Sequence, residues 1–568
     1  MKKGQKYIGE VVKYEFPNKG IVEVIEKDQE GNEQRNLVVV KGALKGQKVE
    51  FVLNKKRHGE GEGRLINVVE KSYLQGRAPF CPHFENCGGC TYQEMDYQTQ
   101  INLKMELVKD ILKDVIKGEY EYENILGSPY EWGYRNKMEF SFGDEYMNGP
   151  LALGLHKKGS FYDIVTVNQC KIVSNDYNVI LEGTLKFFKD KNIPYYHKMK
   201  HEGYLRHLLI RRSIKNGELL IALVTTSDFA ADECMGMTKT DMLESYKNML
   251  LGLDLDGDIK GILHIINDGL ADVVRSDRTD ILYGDDFITE NILGLNFKIS
   301  TFSFFQTNSL GAEVLYEKAR SYVGETKDKV IFDLYSGTGT IAQMLAPVAK
   351  KVVGVEIVEE AVEAARENAK LNGLSNCEFI AGDVLKVIGE MQDKPDLIVL
   401  DPPREGINPK ALSQIIDFGV DRIVYISCKP TSLANDLVML QERGYKVEKV
   451  CTVDMFPQSV HVETCCLLVR ECANDDEMVS IKVDLEGISL DQGKFEPDEK
   501  PTYGNIKKWI KEKYCFNVTN LYIGQIKYKV GMEKRKNYNI GSGEGRVPTC
   551  PPEKEEAIME AFKHFNLI

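Results

Sequence analysis

Cys428 ends the apolar run RIVYIS, and the acidic, proline-stiffened Asp401-Pro402-Pro403-Arg404 ends another, PDLIVL. A thiol and a carboxylate at the ends of successive apolar strands suit attack on an electron-poor ring. C5 of uracil is not nucleophilic by itself, but thiolate addition to C6 gives an enolate that makes C5 reactive toward a sulfonium methyl group. The C5 proton must then leave before the thiol is eliminated, and this needs a general base. Glu463, opening the last apolar run in SVHVETCCLLV, is the carboxylate assigned that task. A cysteine after a strand is, taken alone, more often a small buried hydrophobe; the neighbouring chemistry reverses that reading here.

A methyl donor needs its own cradle. VIFDLYSGTGTIAQMLA sets Gly337 and Gly339 between an apolar strand and a helix, where glycine allows close backbone approach and a helix end offers N–H groups. The next strand ends in Glu356, placed to accept from two ribose hydroxyls, and the third in Gly382-Asp383, where a carboxylate can meet an adenine amino group. Residue 342 is Ala, so the dinucleotide fingerprint Gly-x-Gly-x-x-Gly is absent and S-adenosylmethionine is favoured over NAD. The motif at Asp401 resembles the acidic-Pro-Pro of amino-methylating enzymes, but Arg404 stands where those have a stacking aromatic ring.

Cys81, Cys87 and Cys90 lie in CPHFENCGGC, and Cys170 in VNQC is the expected fourth member. Four thiolates hold either zinc or an iron–sulfur cluster, and spacing alone leaves those two open. Cys234, Cys377, Cys451, Cys465, Cys466, Cys472, Cys515 and Cys550 show no such pattern and are expected to be structural.

The 568 residues that position these groups divide by pattern. Residues 1–70 alternate in period two through five short strands, which predicts an OB-like β-barrel of RNA-binding type. Residues 71–300 predict a β-rich central domain holding the cysteines, with helices at 95–114 and near 172–192, the former packing on the following domain. Residues 301–470 alternate strands with helices, predicting a doubly wound α/β domain with its ligands at the strands' carboxyl ends. The acidic ANDDE near 473–477 predicts a linker to a small α+β module within 471–568, with helices at about 503–514 and 552–565 and a strand in NLYIGQIKYKV.

The net charge of −13 counts against a polyanionic partner, yet it is unevenly distributed. Residues 1–70 carry 14 Lys and Arg against 11 Asp and Glu, and residues 501–548 carry 10 against 3. In the latter stretch Lys507, Lys508, Lys511, Lys513, Lys527, Lys529, Lys534, Arg535 and Lys536 are interleaved with Tyr503, Trp509, Tyr514, Phe516, Tyr522, Tyr528 and Tyr538, which suits accessory RNA binding. No run of about 18 apolar residues and no signal peptide are read, so a cytoplasmic protein without membrane contact is expected, as a monomer.

SFFQTN (303–308), DLYSGTGTIA (333–342), DPPREG (401–406), SCKP (427–430) and HVET (461–464) together resemble the RNA (uracil-5-)-methyltransferase family over about residues 1–470. Gly20, Gly42, Gly46 and Gly63 resemble the punctuation of its TRAM barrel. The resemblance implies that Gln306, Tyr335, Glu356 and Asp401 contact S-adenosylmethionine, that Cys428 is the nucleophile and that Glu463 is the base. It also implies a 4Fe-4S iron–sulfur cluster on the four cysteines, and 23S ribosomal RNA as the substrate. Lys429 stands where the family often has Asn. The rivals are a transfer RNA uracil methyltransferase, an adenine amino-methyltransferase, and an inert RNA-binding iron–sulfur protein.

Overall fold

The computed structural model describes the chain except for residues 28–32, 58, 59, 230–236, 272, 390, 392, 472–502, 515–517, 519, 531–549, 566 and 568. It divides into a unit at Met1–Ala473 and a second at Asn474–Ile568. The expected 473–477 linker and Cys234, Cys472 and Cys515 lie outside the described residues.

Strands β1 (Lys6–Glu15), β2 (Lys19–Lys27), β3 (Glu33–Lys41), β4 (Lys48–Arg57) and β5 (Glu60–Glu70) close into a barrel in the order β1-β2-β3-β5-β4. Val22 and Val24 of β2, Val38 and Val40 of β3, and Val49, Phe51 and Leu53 of β4 point inward at every second position and are buried. Gly63 is required there, since a Cβ would stand 2.4 Å from the Phe51 ring.

Helix α1 (Tyr97–Leu112), capped by Asp96 accepting from Thr99 N, is followed by the short strand β6 (Glu121–Tyr122). A seven-stranded sheet then forms from β7 (Lys137–Asp144), β8 (Leu151–His156), β9 (Ile164–Thr166), β10 (Leu205–Arg212), β11 (Glu218–Thr225), β12 (Asp258–Ile266) and β13 (Arg278–Gly284). Two helices accompany it, α2 (Asn175–Asp190) and α3 (Lys239–Leu251). The sequence reading did not anticipate α3. Its cap, Thr238 accepting from Asp241 N, and its buried Met242, Leu243, Tyr246 and Leu250 are a local helix signature masked by flanking polar residues.

The hairpin β14 (Phe287–Ile292) and β15 (Leu295–Ser300) leads into α4 (Ser309–Val323) and the alternating series β16 (Val330–Leu334), α5 (Thr340–Leu345), β17 (Lys351–Glu356), α6 (Glu359–Leu371), β18 (Cys377–Ala381), α7 (Val384–Val387), β19 (Leu397–Leu400), α8 (Pro409–Asp417), β20 (Arg422–Ser427), α9 (Pro430–Glu442), β21 (Tyr445–Val453) and β22 (Glu463–Arg470). The eight-stranded sheet runs β18-β17-β16-β19-β20-β22-β21-β6. Its first five strands are parallel, while β22 is antiparallel to both neighbours. From β16 the chain winds outward to β18, then returns to continue from β19 on the other side. The reversal opens a crevice at the carboxyl ends of β16 and β19, where a ligand avoids helices.

The division at residue 300 is not clean. β6 extends this sheet, and Val108 and Leu112 of α1 join the apolar cluster beneath α9, while Ile288, Ile292, Phe297 and Ile299 of the hairpin join the cluster on the other face.

In the second unit, α10 (Tyr503–Tyr514), α11 (Asn520–Lys529) and α12 (Pro552–His564) share a core of Ile506, Ile510, Ile523, Ile526, Ile558 and Phe562. The expected strand in NLYIGQIKYKV is therefore α11, and no strand occurs among the described residues of this unit, so the expected α+β module is helical as far as it is described. Without a partner strand, local backbone hydrogen bonds win, and Ile523 and Ile526 share one helical face.

Candidate active site

The turn after β16 leaves the ordinary backbone regions. Tyr335 has φ +68°, and its N–H and that of Ser336 donate to Val355 O at 2.9 and 3.0 Å. Gly337 and Gly339 also have positive φ. A Cβ on Gly339 would meet the Phe379 ring at 2.5 Å, so that glycine is structural, whereas one on Gly337 meets nothing nearer than Phe304 at 4.0 Å. The space above Gly337 is open to a ligand.

Glu356 ends β17, where its two carboxylate oxygens accept from Gly337 N at 3.0 Å and Val358 N at 2.9 Å. Each oxygen keeps a lone pair for a further donor. Asp383 caps α7, accepting from Leu385 N at 3.0 Å, so its carboxylate has a structural duty beside any ligand contact. Gln306 is held by its backbone, its carbonyl accepting from Asn136 Nδ2 at 3.1 Å, and its side chain hydrogen-bonds Tyr316.

Three carboxyls converge behind this turn. Asp333 in β16 is fully buried; one oxygen accepts from Ala342 N at 2.9 Å and the other has no hydrogen-bond partner. Burial, with Asp401 beside it, pushes its carboxyl up to about 8. Burial alone pushes Asp401, at the end of β19, up to about 7. Glu463 is raised to about 8 by burial and by Asp401, with Arg404 pulling the other way. Burial, and for Asp333 and Glu463 the repulsion of Asp401, thus disfavours the ionised form of each.

Cys428, one residue past β20, is partly buried. Burial, Glu463 and Asp401 push its thiol up to about 11, while the Arg404 guanidinium, which hydrogen-bonds it, pulls it down. Arg404 also donates to His461 Nδ1 at 3.1 Å. Desolvation on the protein-facing side of that ring, then the Arg404 cation, push His461 down to about 4, so the imidazole is neutral and accepts. Arg404 and His461 were missed as site residues by the sequence reading. A cation following an acidic-Pro-Pro turn was the available signal.

Cys81, Cys87, Cys90 and Cys170 line one cavity with Phe84 and Leu155. Gly89 N donates to Cys87 Sγ at 3.3 Å, and Ile172 N–H supports Cys170. Burial raises Cys87, takes Cys90 to about 11 and Cys170 to about 12, each further raised by its neighbouring thiols. Among the described residues, no group of three or more His, Cys, Asp or Glu is drawn together as a metal-ion site. Four thiolates on one zinc at about 2.3 Å would stand roughly 3.8 Å apart.

A second cleft lies between barrel and cysteine segment, lined by Lys19, Lys41, Arg64, Tyr92 and Lys158. No described helix is long and apolar enough to cross a membrane.

Residues 267–471 match the family model described as tRNA (uracil-5-)-methyltransferase. An uncharacterized RNA methyltransferase of Clostridium tetani is 47% identical over 473 residues, covering 83% of this chain and 99% of the relative. Another, of Clostridium acetobutylicum, is 49% identical over 435 residues, covering 76% and 93% respectively. The chain belongs to the RNA (uracil-5-)-methyltransferase family. It is an RNA uracil-5 methyltransferase, a transferase of one-carbon groups. A Pyrococcus abyssi tRNA (uracil-54, C5)-methyltransferase, solved with S-adenosyl-L-homocysteine, superposes with a TM-score of 0.62 at 25% identity, covering 81% of this methyltransferase and 99% of that chain.

Proposed function

We propose that this methyltransferase methylates C5 of uridine in 23S ribosomal RNA by a covalent route, with S-adenosylmethionine as methyl donor. The observation that carries the reading is the convergence of Cys428, Glu463 and Asp401 at neighbouring strand ends. Gln306, Tyr335, Glu356, Asp383 and Asp401 would hold the donor, whose bound sulfonium supplies an electrophilic methyl group. Cys428 adds to C6 of the unstacked base, with Arg404 stabilising the thiolate. C5, made nucleophilic, takes the methyl group. Glu463 accepts the C5 proton, and the thiolate leaves C6 to restore the ring. A carboxyl held near 8 is a strong enough base for that proton and still ionises within the working pH range.

The four cysteines would hold a 4Fe-4S cluster. They fit such a group because they share one cavity, with a backbone N–H on the sulfur of Cys87. Its part is structural, since methyl transfer moves no electron. Anaerobically purified protein should then be brown with about four irons per chain; a colourless protein holding one zinc overturns the assignment.

The barrel would act as a TRAM-type grip on a single-stranded or looped segment, with the cleft lysines and Arg64 facing phosphates. A transfer RNA substrate is the second reading, favoured by the substrate of the P. abyssi enzyme. Mass-spectrometric mapping of 5-methyluridine in ribosomal and transfer RNA from a deletion strain decides between them. Loss confined to transfer RNA refutes the ribosomal assignment.

A further inference from the structure

Residues 454–462 connect β21 to β22 and end at Glu463, and they are fastened to α1, to Leu126, Tyr134 and Asn308, and, at Gln458, to the segment that carries Cys81, Cys87 and Cys90. Gln458 is the centre of the fastening. It is fully buried with φ +66°, a conformation that a non-glycine residue holds only where its surroundings over-determine it. Its carbonyl accepts from Thr91 N at 2.7 Å and Tyr92 N at 3.1 Å, directly after Cys90. Its side chain and backbone exchange hydrogen bonds with Gln100 of α1: Gln100 Nε2 donates to its Oε1, and its N–H donates to Gln100 Oε1, both at 2.9 Å.

The first half of the connection is also held from outside. Lys104 of α1, buried, donates to Asp454 at 2.7 Å and to Phe456 O at 3.0 Å. Tyr134 OH donates to Pro457 O at 2.9 Å. Past Gln458, Ser459 Oγ donates to Phe456 O at 2.8 Å and accepts from His461 N at 3.3 Å, and His461 meets the Arg404 that bonds Cys428. On the cysteine side, Gln93 Oε1 accepts from Cys81 N at 2.9 Å while its carbonyl accepts from Arg77 Nε at 2.9 Å. Hydrogen bonds thus lead from the four-cysteine cavity through Gln93, Arg77 and Gln458 into this connection, which continues through Ser459 to His461, two residues before Glu463.

We infer that Gln458 is a positioning residue, which makes the placement of Glu463 depend on an ordered four-cysteine segment. The inference rests on the covalent route above, in which Cys428 adds first and Glu463 acts last. The two steps therefore separate the effects. A defect confined to Glu463 leaves addition and methyl transfer intact and slows only proton removal. RNA containing 5-fluorouridine isolates the early steps, because fluorine at C5 cannot leave as a cation and the methylated adduct persists whatever the base does.

The experiment compares the full-length wild type with Gln458→Asn, which tolerates the left-handed backbone but is too short for Gln100, and with Gln100→Ala. Transcribed 23S ribosomal and transfer RNAs are made with either uridine or 5-fluorouridine. In both variants the fluorinated adduct should form at the wild-type rate, while turnover on uridine RNA falls about tenfold and an adduct survives denaturing electrophoresis. Turnover equal to wild type, or equal losses of adduct formation and turnover, overturns the inference, since β22 pairing alone would then place Glu463 or Gln458 would serve only the fold. Failure of the wild type itself to form the fluorinated adduct refutes the covalent route instead. In Cys90→Ala, amide exchange across 454–462 should quicken about tenfold while β16 to β18 stay protected; unchanged exchange in that connection overturns the coupling.

Discussion

Cys428 and Cys90 carry thiols raised to the same level, about 11, and both owe it first to burial. Their neighbours differ. Cys428 faces a guanidinium and two carboxyls, whereas Cys90 faces Gln93 and other thiols inside a small cavity. Cys466 in β22, buried in the apolar cluster and pushed up by burial alone, faces neither arrangement. Burial alone therefore makes a thiol inert, and what shares its cavity decides whether it becomes nucleophile, ligand or packing.

The comparison breaks most simply at the nucleophile. Cys428→Ala should lower methyl transfer by about 10⁴-fold or more, yet leave S-adenosyl-L-homocysteine affinity by calorimetry within about twofold, because the thiol acts on the base. Near-normal turnover would remove Cys428 from the mechanism.

Glu463→Gln should slow turnover by about 10²- to 10⁴-fold while a protein–RNA adduct accumulates on denaturing gels. In the wild type, the Glu463 carboxyl held near 8 is largely protonated at pH 7 and ionised at pH 9. The rate of C5 proton release, followed by tritium from labelled uridine, should therefore rise across that interval, and the rise should vanish in the variant.

Arg404→Gln sharpens the difference between the two thiols. Removing the cation that holds Cys428 down should slow adduct formation about tenfold at pH 7.5 and move the ascending limb of its pH profile to higher pH, since more base is needed to ionise the thiol. An unshifted limb would show that Arg404 only contacts RNA.

The smallest effect is expected at the second unit. Its aromatic residues Trp509, Tyr514 and Tyr522 pack on the helical core, and Lys513 and Lys529 pair with Glu560 and Glu555, which leaves fewer groups for RNA than the composition implied. Lys534, Arg535, Lys536, Phe516 and Tyr538 lie outside the described residues. Truncation after Arg470 should leave cofactor affinity unchanged and weaken RNA binding a few-fold, with a flatter salt dependence in filter binding. Identical affinity and salt slope would assign these helices another role.

Periodicity and motif order made much of the molecule legible in one dimension. Alternating valines predicted the barrel, and apolar strands ending in Gly337, Glu356, Asp401 and Cys428 predicted the crevice, because the side-chain period and the strand-end position are local properties. Cys81, Cys87 and Cys90 were visible as a group for the same reason. Long-range packing decided the rest. It brought Arg404 and His461 to Cys428, drew Cys170 into the cavity of the other three thiols, tied Gln458 to Thr91, and set the buried Asp333 and Glu463 each beside Asp401. Residues 520–529, whose alternating pattern read as a strand, form a helix because no strand pairs with them among the described residues of their unit. Residue types and their order state which groups are available. Their protonation and partners depend on the dielectric and the neighbours that only the folded chain supplies.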